Sequence, residues 1–343
     1  MHQAKAWCKI IAMQSVFKFH PIYKERPWGG QAIAGVGTHH HLPLGKKIGE
    51  SWEISDRPGD ESIVQEGEFQ GKSIRWLLDE YGEFVMGRPW PKGRRFPLLV
   101  KILDCAERLS LQVHPPASVA AALGGEPKTE MWYLLGATEQ AALMAGLRKE
   151  TRRENFENAL RSQTLEKLIH RISVRKGDAM FIPSGRIHAI DAGCLILEIQ
   201  QNSDTTYRVY DWGRVGLDGK LRQLHVQETM RCTNFDDFEP RLIDRAFRSE
   251  VRVLVNEEYF SAVSFAVKRP LDLDVGTCCI VHVLDGSMEI ASGTPVSGDE
   301  VGRPGTKSHM QKGETVLLGA VPHQIRTIGS DGELIVTQCI REK

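Results

Sequence analysis

The chain has 343 residues, more than one hydrophobic core usually serves, so two domains, or one with a large insertion, are expected. Its 44 basic and 44 acidic residues cancel. No overall field therefore draws it to a nucleic-acid backbone or an anionic membrane face, and any anion must meet a local site. Seven scattered cysteines without a C-x-x-C pair argue against a disulfide framework or a cysteine metal site and suggest the reducing cytoplasm, and no apolar run approaches the roughly 18 residues of a membrane span.

Residues 1–15 read as an extension ahead of the fold, with Met13 a second candidate start. Beyond them, short apolar runs broken by glycine, proline and aspartate predict a mainly β architecture with helical additions. Predicted strands are Pro97 to Leu103, Leu109 to His114, Met131 to Leu135, Ala141 to Ala145, Ala179 to Ile182, Cys194 to Gln200 and Thr205 to Tyr210. Helical spacing appears at Lys72 to Tyr81, at Ser118 to Leu123, and over Lys149 to Arg171, where Phe156, Leu160, Leu165, Leu168 and Ile169 recur among charges. That last stretch reads as a helical insertion. The acidic, turn-rich segment Asn234 to Arg245 marks a domain boundary, after which a second strand series runs from Val251 to Ile340. The expected units are 16–245 and 246–343. An echo links them: Lys176-Gly177-Asp178 leading to His188 resembles Lys312-Gly313-Glu314 leading to His323.

Three pieces of sequence carry chemistry. In the strand containing Ser110, Gln112 and His114, alternate residues share a face, so an imidazole and an amide oxygen converge. Sixteen residues past His114, Glu130 stands where a strand re-enters the sheet. Gly177-x5-Pro183-x-Gly185-x2-His188 sets a tight turn that ends on a histidine, the spacing of the second cupin motif. Gln112, His114, Glu130 and His188 together offer two nitrogens and two oxygens with no thiolate, a set suited to a catalytic divalent zinc ion with an open position. The run His39 to His41 reads as surface or satisfied histidines, and His225, His282 and His309 receive no role. Glu198 and Arg208 follow closely after His188; Arg208 suits a phosphate or a developing oxyanion, and the two could instead pair with each other across strands.

Gly49-Glu50-Ser51-Trp52-Glu53-Ile54-Ser55-Asp56, the Gln112-x-His114-Pro115 strand, Lys128-Thr129-Glu130, the Pro183 to His188 turn and the Gln201 to Arg208 segment appear in the order of one family. With these motifs the chain resembles the type I phosphomannose isomerases in their short bacterial form, from about Phe17 to the C-terminal strands. The resemblance implies two cupin (jelly-roll) β-barrels of which only the first holds metal, with zinc on Gln112, His114, Glu130 and His188. It places Lys128, Glu198 and Arg208 at positions of sugar-phosphate binding and catalysis, with Ser110 lining the same pocket. The implied reaction interconverts mannose 6-phosphate and fructose 6-phosphate through a proton transfer between C2 and C1. Glu198, Lys128 and a zinc-bound water remain open as the base, and monomer and homodimer remain open as the assembly. The rival expectations are a glucose 6-phosphate isomerase, a non-catalytic sugar-binding cupin and an iron-dependent oxygenase.

Overall fold

A computed structural model of the chain describes residues 13–273, 276–292 and 307–339. Most of the proposed N-terminal extension and the end of the second strand series at Ile340 lie outside them. Among the described residues no helix is long and apolar enough to cross a membrane.

Four large antiparallel sheets make up the body. The first pair consists of a five-stranded sheet in the order Ile169–Ser173, Ala142–Leu147, His188–Ile190, Leu111–Val113, Tyr207–Tyr210, and a six-stranded sheet in the order Ala179–Ile182, Glu130–Ala137, Cys194–Gln201, Leu98–Cys105, Ile48–Ile54, Ile22–Gly30. Leu143, Ala145 and Ile190 of the smaller sheet pack on Leu103, Trp132, Leu134 and Ile196 of the larger, so the two enclose a common interior. The C-terminal half repeats the plan with a six-stranded sheet that includes Cys279–Asp285, Thr315–Leu318 and Gly332–Cys339, and a four-stranded sheet that includes Ser287–Ser292 and His323–Thr327.

The two six-stranded sheets meet in one apolar cluster, where Val100, Ile102, Met131 and Ile199 of the first join Leu254, Phe260, Ile280 and Ile335 of the second. Strands covered on both faces lose the usual apolar–polar alternation, which is why Leu98–Cys105 is buried at all eight positions and is mostly apolar, interrupted only by Lys101 and Asp104. The helix Ile74–Met86 adds Ile74, Leu77, Leu78 and Val85 to this cluster. Its start is fixed by Ser73, whose side chain accepts the Trp76 N–H, and its end by Gly87 in the left-handed region.

Two expectations are corrected. The predicted insertion over residues 149–171 is a helix only at Arg153–Arg161, followed by the 3-10 turn Leu165–Leu168 and then the strand Ile169–Ser173. Gln163 takes a positive φ of 57° just past the helix, and β-branched Ile169 and Ile172 pair with the edge of Ala142–Leu147, whose backbone groups would otherwise lack partners on that side. The N-terminal strand Val16–Lys18 lies in the C-terminal six-stranded sheet, paired with Val316 to Leu318. Val16 enters the interior of the C-terminal half and Phe17 the shared cluster, so this strand buries apolar area on both faces only there.

Candidate metal centre and active-site cleft

The site grows out of the five-stranded sheet. Leu111 and Val113 are buried in the outer apolar layer with Phe156 and Val209, so Gln112 between them turns to the inner side, where Ser110 lines the same cleft. His188 stands directly across from Gln112 on one neighbouring strand and Arg208 on the other, which sets Arg208, Gln112 and His188 in one row. Glu130 arrives from the facing sheet at the first residue of Glu130–Ala137.

His114 Nε2 lies 3.3 Å from Glu130 Oε2, His188 Nε2 lies 3.5 Å from Glu130 Oε1, and the two imidazole centroids are 4.7 Å apart. The ligand atoms of these three residues all fall within 4.8 Å of one another. Each imidazole is oriented by its other nitrogen: His114 Nδ1 donates to the Thr205 carbonyl (3.1 Å) and His188 Nδ1 to the Arg186 carbonyl (2.9 Å). Such bonds fix the tautomer that leaves a lone pair on each Nε2. The Gln112 amide is 3.2 Å from His188 Nε2, and a half-turn of that amide presents its oxygen to the same spot.

The electrostatics suit a cation. Burial and the Lys128 charge lower the His114 pKa to about 3, and burial also lowers that of His188, so both imidazoles are neutral at physiological pH. Burial alone would raise the Glu130 carboxyl, but Lys128, His114 and His188 bring it well below the usual carboxylate range. His114 Nε2 and both Glu130 oxygens are buried without a hydrogen-bond partner. Buried polar atoms are ordinarily satisfied, and an imidazole and a carboxylate left open beside His188 and the Gln112 amide match a divalent metal ion.

A second row crosses the facing sheet. Trp52, Lys101, Glu198, Trp132 and Met180 are successive cross-strand partners over five strands. Lys101 Nζ is 3.3 Å from Glu198 Oε2, and Trp132 Nε1 donates to Glu198 Oε1 (3.0 Å). Glu198 and Arg208 therefore do not pair, because they belong to opposite sheets. Burial, with Glu130 nearby, raises the Glu198 pKa. Burial would lower the Lys128 pKa, but Glu130 at 3.2 Å and Glu198 outweigh it and the net shift is upward. The two rows enclose a cleft of about 410 Å³ lined by Ser110, Gln112, Lys128, Glu198 and Arg208. Arg208 donates from Nη1 to the Gln223 carbonyl (3.0 Å), its Nε is buried without a partner, and among the described residues it forms no ion pair with a carboxylate.

The family model for the phosphomannose isomerase type I catalytic domain matches residues 16–139. A probable mannose-6-phosphate isomerase of Bacillus subtilis is 35% identical over 276 residues, covering 79% of this chain and 86% of that protein. A mannose-6-phosphate isomerase of the same species is 39% identical over 214 residues, or 62% of this chain and 66% of that one. The crystal structure of the mannose 6-phosphate isomerase from Bacillus subtilis superposes with a TM-score of 0.81 at 30% identity, covering 95% of this chain and 100% of that chain. The chain belongs to the mannose-6-phosphate isomerase family. Its paired sheets are the family's cupin fold.

In this family member the cleft holds residues that sequence reasoning passed over: Arg26, Glu50, Lys101, Asp204, Arg222 and His225. Lys101 left a signal, since it is the one basic residue in a strand otherwise buried and mostly apolar, and such a residue needs a buried partner. Arg222 and His225 left none, because they come from an irregular loop. His225 Nδ1 accepts the Arg208 backbone N–H (3.1 Å), and Arg222 forms a two-pronged ion pair with Asp211. His39 proved satisfied, with Nε2 2.9 Å from Glu53 Oε1, but it is buried rather than on the surface.

Proposed function

We propose that the protein interconverts D-mannose 6-phosphate and D-fructose 6-phosphate in this cleft, with one zinc ion held by Gln112, His114, Glu130 and His188. The observation that carries the reading is a His114–Glu130–His188 cluster with unpartnered ligand atoms, set behind Gln112 beside the cleft that also holds a guanidinium without an ion pair. A divalent cation supplies Lewis-acid stabilisation of negative charge on sugar oxygens.

The remaining work falls to the chain's own side chains. The reaction takes a proton from C2 of the aldose and returns one to C1, while the C1 carbonyl becomes a hydroxyl and the C2 hydroxyl becomes the ketone. Lys128 is held protonated by Glu130, so it serves as a fixed positive charge and not as the base. Glu198, whose proton affinity is raised by burial, is the side chain suited to carry the proton between C2 and C1. Arg208 offers its free guanidinium to the enediolate or the phosphate, and Ser110 offers a hydroxyl to the sugar. In this reading the catalytic unit lies within residues 16–245, apart from the strand Val16–Lys18 that joins the C-terminal sheet, and the unit 246–343 carries no metal. The six described cysteines are all free thiols, which supports a reducing cytoplasm.

The test is a coupled assay with mannose 6-phosphate and glucose 6-phosphate, run beside metal analysis of the purified protein. Turnover of mannose 6-phosphate that is lost on chelation and restored by zinc is the expected result. Turnover of glucose 6-phosphate alone, or of neither sugar by metal-loaded protein, would overturn the proposal.

A further inference from the structure

The segment Gly49 to Asp56 is part of the family resemblance, yet the mechanism above gives it nothing to do. Its strand Ile48–Ile54 turns alternate side chains to different partners. Ser51 and Glu53 meet His39 on one face, while Glu50 and Trp52 meet Lys101 on the other. We propose that Glu50 is a positioning residue for the isomerisation: it shares Lys101 with Glu198 and so keeps Glu198 available to the sugar, without touching substrate itself. The inference rests on the reading that Glu198 carries the proton.

Most of the acceptor capacity of Glu50 is taken by protein donors. Oε1 takes the Arg26 Nε donor at 2.7 Å; Oε2 takes Trp52 Nε1 at 2.6 Å and Arg26 Nη2 at 3.3 Å, and faces Lys101 Nζ at 3.9 Å. Each carboxylate oxygen offers about two lone-pair directions, so Oε2 is fully engaged by Trp52, Arg26 and Lys101 and Oε1 is held by Arg26. Although it borders the cleft, Glu50 is thus turned to protein donors. Its charge is secure: burial would raise its pKa, but Lys101 and Arg26 bring it down to about 2.

Lys101 is held from three sides. Its ammonium lies 3.3 Å from Glu198, 3.9 Å from Glu50 and 5.3 Å from the centre of the Trp52 ring, and its residue is 4% exposed. An unshared buried lysine would collapse onto Glu198 in a tight ion pair, and a carboxylate so engaged is a poor proton acceptor. A second carboxylate on its far side divides that attraction. Arg26 sets where the second carboxylate sits: it grips Glu50 with two donors, and its own side chain is 32% exposed at the cleft edge. The order Arg26, Glu50, Lys101, Glu198 alternates in charge from the rim inward to the acid–base carboxylate.

The test is steady-state kinetics with mannose 6-phosphate on metal-loaded full-length protein. Glu50→Gln keeps the shape of the side chain and an acceptor for Trp52 while removing the charge. The expected result is a kcat lower by ~10–100-fold with KM within about threefold of the parent and unchanged metal content. In a Lys101→Met background the added Glu50→Gln should change kcat no further, because Glu50 acts through that lysine. Glu50→Asp, which retains the charge, should recover part of the kcat lost in Glu50→Gln, and it serves as the test variant if Glu50→Gln does not fold. Multiplicative losses in the double variant, or a raised KM with intact kcat in Glu50→Gln, would overturn the positioning role. Parent-like turnover of Glu198→Gln would sink instead the underlying reading that Glu198 carries the proton.

Discussion

His188 and His323 occupy matching places in the two halves of the molecule, and only one of them is open to a metal. Each follows a glycine turn of the same geometry, Gly177 with φ 85° and Gly313 with φ 86°, then a short buried strand, and then begins a strand of the smaller sheet. Their neighbours differ. His188 Nε2 meets only the Gln112 amide at 3.2 Å and Glu130 at 3.5 Å, whereas His323 has Ser292 Oγ at 2.9 Å from Nδ1 and donates from Nε2 to the Gly319 carbonyl, also at 2.9 Å. What separates them is whether the second nitrogen faces other groups able to bind a metal or is spent on the fold. The scaffold repeats; the unsatisfied atoms do not.

Substitution at the two sites tests that contrast most directly. His114→Ala should abolish metal retention and lower kcat by about three orders of magnitude or more, since several kcal/mol of charge stabilisation depend on the ion. Elemental analysis and the isomerase assay measure both, and an active, metal-replete His114→Ala protein would break the comparison. Arg208→Ala keeps the ligands and removes the free guanidinium. Its kcat should fall by about 10²–10³-fold with metal content unchanged; near-parental turnover would remove Arg208 from the chemistry.

Two buried carboxylates sharpen the same contrast on the pH axis. Glu130 sits among Lys128, His114 and His188 and is held ionised, whereas Glu53 meets the His39 ring and the Ser51 hydroxyl, and burial pushes its pKa up to about 8. Folded Glu53 therefore keeps a proton that the unfolded chain loses near the ordinary 4.5. Its contribution to stability is complete below about pH 4.5, declines as pH rises through that window, and is gone above about pH 8. Glu53→Gln should flatten this decline by about 2 kcal/mol between pH 5 and 8 in urea unfolding. An unchanged pH slope would show that Glu53 is already ionised in the folded protein. The smallest effect is expected at the second histidine: His323→Ala should leave metal and kcat at parental levels and cost about 1–2 kcal/mol of stability, from the buried Ser292 and Gly319 groups left without a partner. Loss of metal in that variant would mean the halves are not as distinct as their hydrogen bonds indicate.

Much of the fold was readable. The strand Ala179–Ile182 has the predicted limits, and Leu98–Cys105 and Cys194–Gln201 lie within two residues of theirs, because apolar runs bounded by turn residues leave little choice of register. Ile169–Ser173 was not readable, since a mixed stretch after a helix satisfies a helical pattern as well as a strand until an open sheet edge selects one. Placing Val16–Lys18 in the distant C-terminal sheet likewise required a partner some 300 residues away, and no local pattern records that.

The same division holds in the cleft. The sequence by itself determined the chemical inventory: two imidazoles, an amide and a carboxylate in motif contexts, with Lys128, Glu198 and Arg208 close by, because alternation along a strand and a glycine-proline turn are local rules. Tertiary structure decided which groups stay unpaired and which are spent. Glu198 joins Lys101 and not Arg208, Arg222 is consumed by Asp211, and His323 is closed by Ser292 and Gly319, while Arg208 and the faces of His114 and Glu130 remain open. Reactivity depends on what a polar atom has left to give, and that remainder is a sum over neighbours brought from distant strands, which no local stretch of sequence contains.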